Sequence, residues 1–251
     1  MKKKVSIIDR FASRKSFLEA GLLKGFTDVH THYLPAVDDG FRQAEGAIEA
    51  LKTMVSLGVK RVWMTPHVME DIPQNRPAFL KERFAGFVPL APEGIELRLA
   101  AEYMLDGGFQ KQQEEGLLTL GGNHVLIEMS YMAASPSLLN VVYDLQIKGY
   151  KPLLAHPERY LYLREADYLD LKEKGCRFQL NLMSLSGQYG PESREVAWYL
   201  LQNGMYDFVG SDIHNLPVFM HNVNRMKLTL KEQKLIQELS SQNDLLWDKE
   251  K

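Results

Sequence analysis

The stretch FTDVHTHYLPAVDDG, residues 26–40, begins as a short apolar run, ends that run in two histidines two apart, and enters a loop with adjacent aspartates. Side chains i and i+2 on a strand share a face about 7 Å apart, so His30 and His32 can reach one ion. One such pair is weak evidence, because two histidines at a strand end can simply hydrogen-bond. The rest of the chain decides between the readings.

Six more runs rich in β-branched and aliphatic residues follow: KRVWMT, IELRLAAE, HVLIEM, KPLLAH, CRFQLN and YDFVGSD. Among the segments between them, RQAEGAIEALKTMVSLG, SPSLLNVVYDLQIKG, ADYLDLKEKG and ESREVAWYLLQNG have the apolar period of helices, and all four end in the glycine favoured past a helix C-terminus. Strand alternating with helix predicts a parallel sheet, and this much of it predicts a (β/α) barrel. An open doubly wound sheet competes, but its Gly-rich phosphate loop is missing. The expected organisation is an N-terminal extension at 1–25, one barrel domain at 26–240 with a terminal helix closing it, and a frayed polar tail at 241–251.

Composition narrows the function. A formal net charge of -2 provides no basic field for a nucleic-acid backbone, so nucleic acid is not the expected partner. The single cysteine, Cys176, excludes an internal disulfide and fits a reducing, cytoplasmic setting. It starts an apolar strand and has Leu182 rather than arginine six residues on, so a thiol phosphatase mechanism is excluded and a buried structural role is expected. The leader MKKKVSIIDRFASRKSFLEA lacks the continuous apolar core of a signal peptide and reads as a solvated extension. No run is long enough to span a bilayer, so no integral membrane segment is expected.

The strand ends carry the chemistry. The second run leads to His67, the third ends in Glu102, the fourth in Glu128, the fifth in His156, and the seventh in Asp212 followed by His214. In a barrel these ends converge on one mouth, and charged groups ending apolar runs are costly unless paired or liganded. With Asp39 from the opening stretch the set holds five histidines and four carboxylates, too many for one ion and suited to two or three divalent ions sharing carboxylates. Such a pocket remains positive and attracts a dianion. Arg159, in HPERY, adds a planar donor suited to a phosphate at the same mouth, the alternative being a surface pair with Glu158. Tyr33, Tyr103, Tyr131, Tyr160 and Tyr162 stand beside the ligand positions and could line a substrate cleft, whereas His124 reads as structural.

In this order HTH, TPH, AE, IE, AHPER and SDIH resemble the PHP (polymerase and histidinol phosphatase) metallo-hydrolases. HYLPAVDDG with HPERY is similar to the bacterial PHP-type protein-tyrosine phosphatases of capsular and extracellular polysaccharide synthesis, over about residues 26–215. The resemblance implies a distorted (β/α)7 TIM-like barrel and three metal ions, manganese favoured over iron or zinc. It implies that His30, His32 and Asp212 hold one ion, that Glu128 bridges it to a second near Glu102 and His156, and that Asp39, His67 and His214 hold a third. It implies catalytic work by Arg159, Asp212 and His214, with Arg159 binding the phosphoryl oxygens of a phosphotyrosine protein, for which a bacterial tyrosine kinase is the expected partner. A second arginine usual after SD-x-H is replaced here by NLPVFMHN, with Phe219 near its place and Arg225 and His221 as possible substitutes. The competing readings are a small-molecule phosphatase of the histidinol-phosphatase type and a metal-binding regulatory subunit without turnover. A barrel of this size can also pair with a second copy through its outer helices.

Overall fold

The computed structural model describes residues 14–248 apart from Ala134, Pro136 and Ser137. Six strands form one parallel sheet in the order β10 (Phe208–Gly210), β9 (Arg177–Asn181), β8 (Lys151–Ala155), β7 (His124–Glu128), β6 (Glu102–Met104) and β4 (His67–Val68). A second parallel set holds β2 (Thr27–Asp28), β3 (Arg61–Met64) and β5 (Glu96–Leu99). The two sets continue one another. β3 runs into β4 across Pro66, which has no N–H to donate, and β5 runs into β6 across Ala100 and Ala101. Ala100 N donates to Met64 O at 2.9 Å and Glu102 N to Pro66 O at 3.1 Å, so the register carries through the break.

The sheet curls until its first and last strands meet. Thr31 bridges Ile213 in parallel, and Asp212 N donates to His30 O at 2.8 Å. Lower in the same seam the buried Asn243 side chain stands in for a peptide group, donating to Thr27 O and Val209 O, both at 2.7 Å, and accepting from Val209 N at 3.1 Å. The architecture is a mixed α/β fold on a curled parallel sheet. Alternation along each strand layers the inner face: Trp63, Ala100, Leu126, Leu153 and Phe208 form an apolar floor, and polar side chains occupy the layer above it at the C-terminal ends.

Helices cover the outer face for reasons visible in their spacing. In α1 (Ala44–Ser56) the buried residues are Ala47, Ala50, Leu51 and Met54, an i, i+3, i+4, i+7 stripe. The chain leaves this helix through Gly58 at φ 95°, a left-handed turn that a side chain would strain, and Gly149, Gly175 and Gly204 end the other three predicted helices with φ positive as well. Among the described residues no helix is long and apolar enough to cross a membrane.

Residues 1–13, which carry most of the basic leader, lie outside the described residues. The remainder of that leader is packed: β1 (Lys15–Ser16) pairs antiparallel with β11 (Lys227–Leu228), and Phe17 and Leu23 are buried. The terminal helix α8 (Leu230–Ser241) is present, with a capping box of Thr229 and Glu232. The polar tail is not free where it is described. α9 (Asp244–Asp248) buries Leu246 and Trp247 against the floor, with Trp247 edge-on to Trp63 at 5.6 Å. Arg98 holds it there, its guanidinium 4.1 Å from the Trp247 ring and its Nη1 donating to Trp247 O at 2.6 Å. Three adjacent apolar residues in SSQNDLLWDKEK are too short a run for a periodic signal, which is why the segment reads as tail from sequence. Trp247→Ala should lower the unfolding free energy by about 3–5 kcal/mol, the cost of emptying a buried indole site; urea unfolding checks this, and a midpoint equal to wild type would mean the plug is dispensable.

Candidate metal centre and substrate cleft

Parallel pairing brings all nine expected ligand residues to the C-terminal edge of the sheet. His30 and His32 follow β2, His67 and Glu102 open β4 and β6, Glu128 ends β7, His156 follows β8, and Asp212 and His214 follow β10. Asp39 arrives on the loop after His32. Close approach at the seam needs glycine: a Cβ on Gly210 would lie 2.5 Å from His30 Cβ, and one on Gly40 would lie 2.3 Å from His32 O. His156 and Asp212 take left-handed backbone at φ 33° and 51°, a strain of about 1–3 kcal/mol each that clusters at functional sites.

The ligand atoms fall into groups. His30 Nε2 lies 3.2 Å from His32 Nε2, 3.1 Å from Glu102 Oε2 and 3.4 Å from Asp212 Oδ1, and His32 Nε2 lies 3.4 and 3.2 Å from the same two oxygens. Four donors around one ion at ~2.0–2.2 Å are spaced ~3.1–3.5 Å, so the observed edges fit a shared divalent ion. In a second group Asp39 Oδ1 faces His214 Nε2 at 3.2 Å and His67 Nε2 at 3.5 Å. In a third, His67 Nδ1 lies 2.9 Å from Glu128 Oε1 and 3.2 Å from Glu102 Oε2. His67 Nδ1 and Glu128 Oε1 approach without hydrogen-bond geometry, as atoms aimed at a common point between them do. His156 Nε2 meets Glu102 Oε1 at 3.0 Å. The carboxylate that spans the His30 and His32 pair and His156 is therefore Glu102, whereas Glu128 faces His67.

Charge balance explains how this cluster stays buried. Burial disfavours the charged form of Glu102, but His30 and His67 beside it overcome that and lower its pKa. For His67 burial opposes protonation, but Glu102 and Glu128 together outweigh it and raise the pKa to about 9. His30 and His32 are raised in the same way, His30 by Glu102 and Asp212 and His32 chiefly by Asp38.

Asp38 and Gln179 were not expected from sequence. Asp38 Oδ2 holds His32 Nδ1 at 2.8 Å, and Gln179 Oε1 holds His30 Nδ1 at 2.9 Å, leaving each Nε2 to the cluster. In VDDG the two aspartates are indistinguishable by spacing. Gln179 and Asn181 did leave a sign, since they sit i, i+2 on CRFQLN, the one run without a metal-type ligand.

Two clefts open above the cluster. One of 220 Å³ is lined by metal-type ligands together with Met69, Met104, Tyr131 and Arg159. The other, of 310 Å³, shares Asp39, Arg159, Asp212 and His214 and extends past Met183, Tyr189, Asn215 and Val218. Arg159 Nη1 donates to Asp212 Oδ2 at 3.0 Å. It does not pair with Glu158, which is fully buried, holding Asn181 N at 3.0 Å and the Tyr206 hydroxyl at 2.8 Å. Of the five tyrosines considered as cleft walls, Tyr131 lines the site, Tyr33, Tyr103 and Tyr160 are buried in the core, and Tyr162 donates to Ser130 O at 2.8 Å. Phe219 is buried, His221 is exposed, and Arg225 donates to Ser186 O at 3.2 Å, so none of them lines either cleft. Cys176 and His124 are buried, the thiol pushed up to about 12 by burial and the imidazole Nδ1 2.6 Å from Gly121 O.

This constellation has counterparts. The model of the capsular polysaccharide synthesis family CpsB/CapC matches residues 26–243. The tyrosine-protein phosphatase YwqE of Bacillus subtilis is 33% identical over 201 residues, covering 75% of this chain and 77% of YwqE. The tyrosine-protein phosphatase CpsB of Streptococcus pneumoniae is 27% identical, covering 75% and 83%. A solved structure from the pair YwqE and CpsB, described as metal-dependent tyrosine phosphatases, superposes with a TM-score of 0.76 at 27% identity over 90% of this chain and 95% of that one. A histidinol phosphate phosphatase of Lactococcus lactis, at 13% identity and a TM-score of 0.51 over 86% and 94%, shares the fold alone. The chain belongs to the CpsB/CapC family of capsular polysaccharide synthesis proteins.

Proposed function

We propose that this protein is a metal-dependent protein-tyrosine phosphatase, acting in the cytoplasm on a tyrosine-phosphorylated protein of polysaccharide synthesis, a tyrosine kinase being the favoured substrate. The observation that carries the reading is the convergence of nine metal-type ligands and one arginine on a single mouth, in a family whose relatives are named tyrosine phosphatases. The ligand sets we assign are His30, His32, Glu102 and Asp212 for one ion, Glu102 and Glu128 for a second with His156 beside it, and Asp39 and His214 for a third, His67 giving the single lone pair of its neutral ring to one of the last two, manganese being favoured over iron or zinc. We count the curled sheet as a (β/α)7 barrel, β3 with β4 and β5 with β6 each making one strand.

Metal ions bound by these residues would lower the pKa of water enough to make it a nucleophile near neutral pH and would add Lewis acidity toward phosphoryl oxygens. The chain's own residues do the rest. Gln179 and Asp38 fix the imidazoles of His30 and His32, and Arg159 grips oxygens on which charge accumulates in the transition state. A phenol leaves with a pKa of about 10, well below an alkyl alcohol, so the leaving group of phosphotyrosine demands less from a general acid.

Two outcomes follow. In the metal-free protein at pH 7 the raised pKa of His67, about 9, keeps its imidazole protonated, and an ion can bind only the neutral ring. Metal binding should therefore release protons, and apparent affinity should climb between pH 7 and 9 by up to about tenfold per unit for each proton released. Titration calorimetry in buffers of different ionisation enthalpy checks this; a flat pH profile without proton release contradicts the assigned sets. The reaction itself is tested with metal-loaded enzyme on a phosphotyrosine peptide, a phosphoserine peptide and histidinol phosphate. Phosphotyrosine should be preferred, chelation or His32→Ala should abolish turnover, and Arg159→Ala should cut kcat/KM about a hundredfold. Turnover of histidinol phosphate alone, or of nothing despite bound metal, rules the assignment out.

A further inference from the structure

Arg159 is the only lysine or arginine lining either cleft among the described residues, so the fixed grip on a dianion rests on one guanidinium. Its surroundings are aromatic. The guanidinium carbon lies 4.3 Å from the centre of the Tyr131 ring and 4.0 Å from that of Tyr189. Tyr131 follows β7, Arg159 follows β8 and Tyr189 follows β9, and β8 lies between the other two in the sheet, so the two rings come from the strands flanking that of Arg159.

Both walls are themselves held. Tyr131 stacks on the buried Tyr160 at 5.8 Å, and the Tyr160 hydroxyl accepts from Met129 N at 2.9 Å. On the other side Asn181 Nδ2 donates to the Tyr189 hydroxyl at 3.1 Å and to Asp212 Oδ2 at 2.8 Å, while Asn181 Oδ1 accepts from Met183 N at 2.9 Å, which fixes the orientation of the amide. One guanidinium N–H is committed, to Asp212. A guanidinium donates only in its own plane, so rings packed against it leave that edge free while restricting how the plane can turn, and two in-plane N–H groups at the edge match two oxygens of a phosphate.

We propose that Tyr131 and Tyr189 are positioning residues that clamp Arg159 edge-on to the substrate phosphate. Resting on the phosphatase reading above, the proposal makes the clamp, rather than a second cation, the source of the chain's grip on phosphate. An unclamped arginine has to be ordered at each binding event, so losing the clamp weakens ground-state and transition-state binding together and appears mainly in KM.

The test compares wild type, Tyr189→Leu and Tyr189→Phe as metal-loaded enzymes, reading phosphotyrosine-peptide kinetics, inhibition by inorganic phosphate, direct phosphate binding by calorimetry and metal content per chain. Leucine should raise KM and weaken phosphate binding about two- to fivefold, the contribution of one stacking face, at unchanged metal content; phenylalanine, which retains the ring, should recover most of that loss. Adding Tyr131→Leu to Tyr189→Leu should deepen it. Unchanged KM and phosphate affinity in Tyr189→Leu, with peptide turnover intact, overturns the clamp and leaves the phosphatase standing. A fall in kcat and metal content at constant KM and phosphate affinity overturns it too, because that is structural damage. If wild type cleaves no phosphotyrosine, the phosphatase reading falls, and phosphate affinity then judges the clamp alone: lost with leucine and recovered with phenylalanine it holds, equal in all three it fails.

Discussion

A carboxylate sealed from solvent, Glu102, lies within hydrogen-bonding range of nitrogens from His30, His32, His67 and His156, at 3.1, 3.4, 3.2 and 3.0 Å. An unpaired charge at that depth would cost several kcal/mol, so the group persists only where positive charge converges on it. Protonated imidazoles can provide that charge in the metal-free protein, and metal ions held by the same residues would provide it in the loaded one. The two solutions compete for the same atoms, and the competition couples metal affinity to pH.

The fold supplies the convergence. A parallel sheet delivers every strand in one direction, so residues far apart in the chain reach one edge, and the curl turns that edge into a mouth. Below it the apolar floor of Trp63, Leu126, Leu153 and Phe208, plugged by Leu246 and Trp247, excludes water from the underside of the charged layer. The seam where the strands meet is also where the structure is tightest. Gly210 lets His30 approach, Asn243 fills in for missing peptide groups, and Asp212 accepts a left-handed backbone while serving both His30 and His32.

Most of the frame, and the gathering of metal-type residues at one mouth, could be read from sequence because each was signalled by local pattern. The seven apolar runs are strand material in the structure, and the four helix-ending glycines all have positive φ. The histidines and carboxylates at the strand ends stood out because a charged residue closing an apolar run has few structural explanations. What stayed hidden depends on contacts between segments distant in the chain. Nothing near Tyr189 marks it as a wall for Arg159, thirty residues earlier, and only three-dimensional packing tells Asp38, which orients His32, from Asp39, which faces His67 and His214. The break at Pro66 likewise looks like an ordinary loop until the hydrogen bonds on either side of it are seen to stay in register.

Whether one buried carboxylate organises the metal cluster is decided by metal content per chain, read alongside phosphotyrosine turnover, for wild type and Glu102→Gln. Glutamine keeps the shape and removes the charge. Glu102→Gln should fold, retain fewer ions than wild type and lose turnover by at least about a thousandfold, as expected when a ligand shared between sites is removed. A Glu102→Gln protein that binds the same number of ions and turns over phosphotyrosine at the wild-type rate would contradict that role.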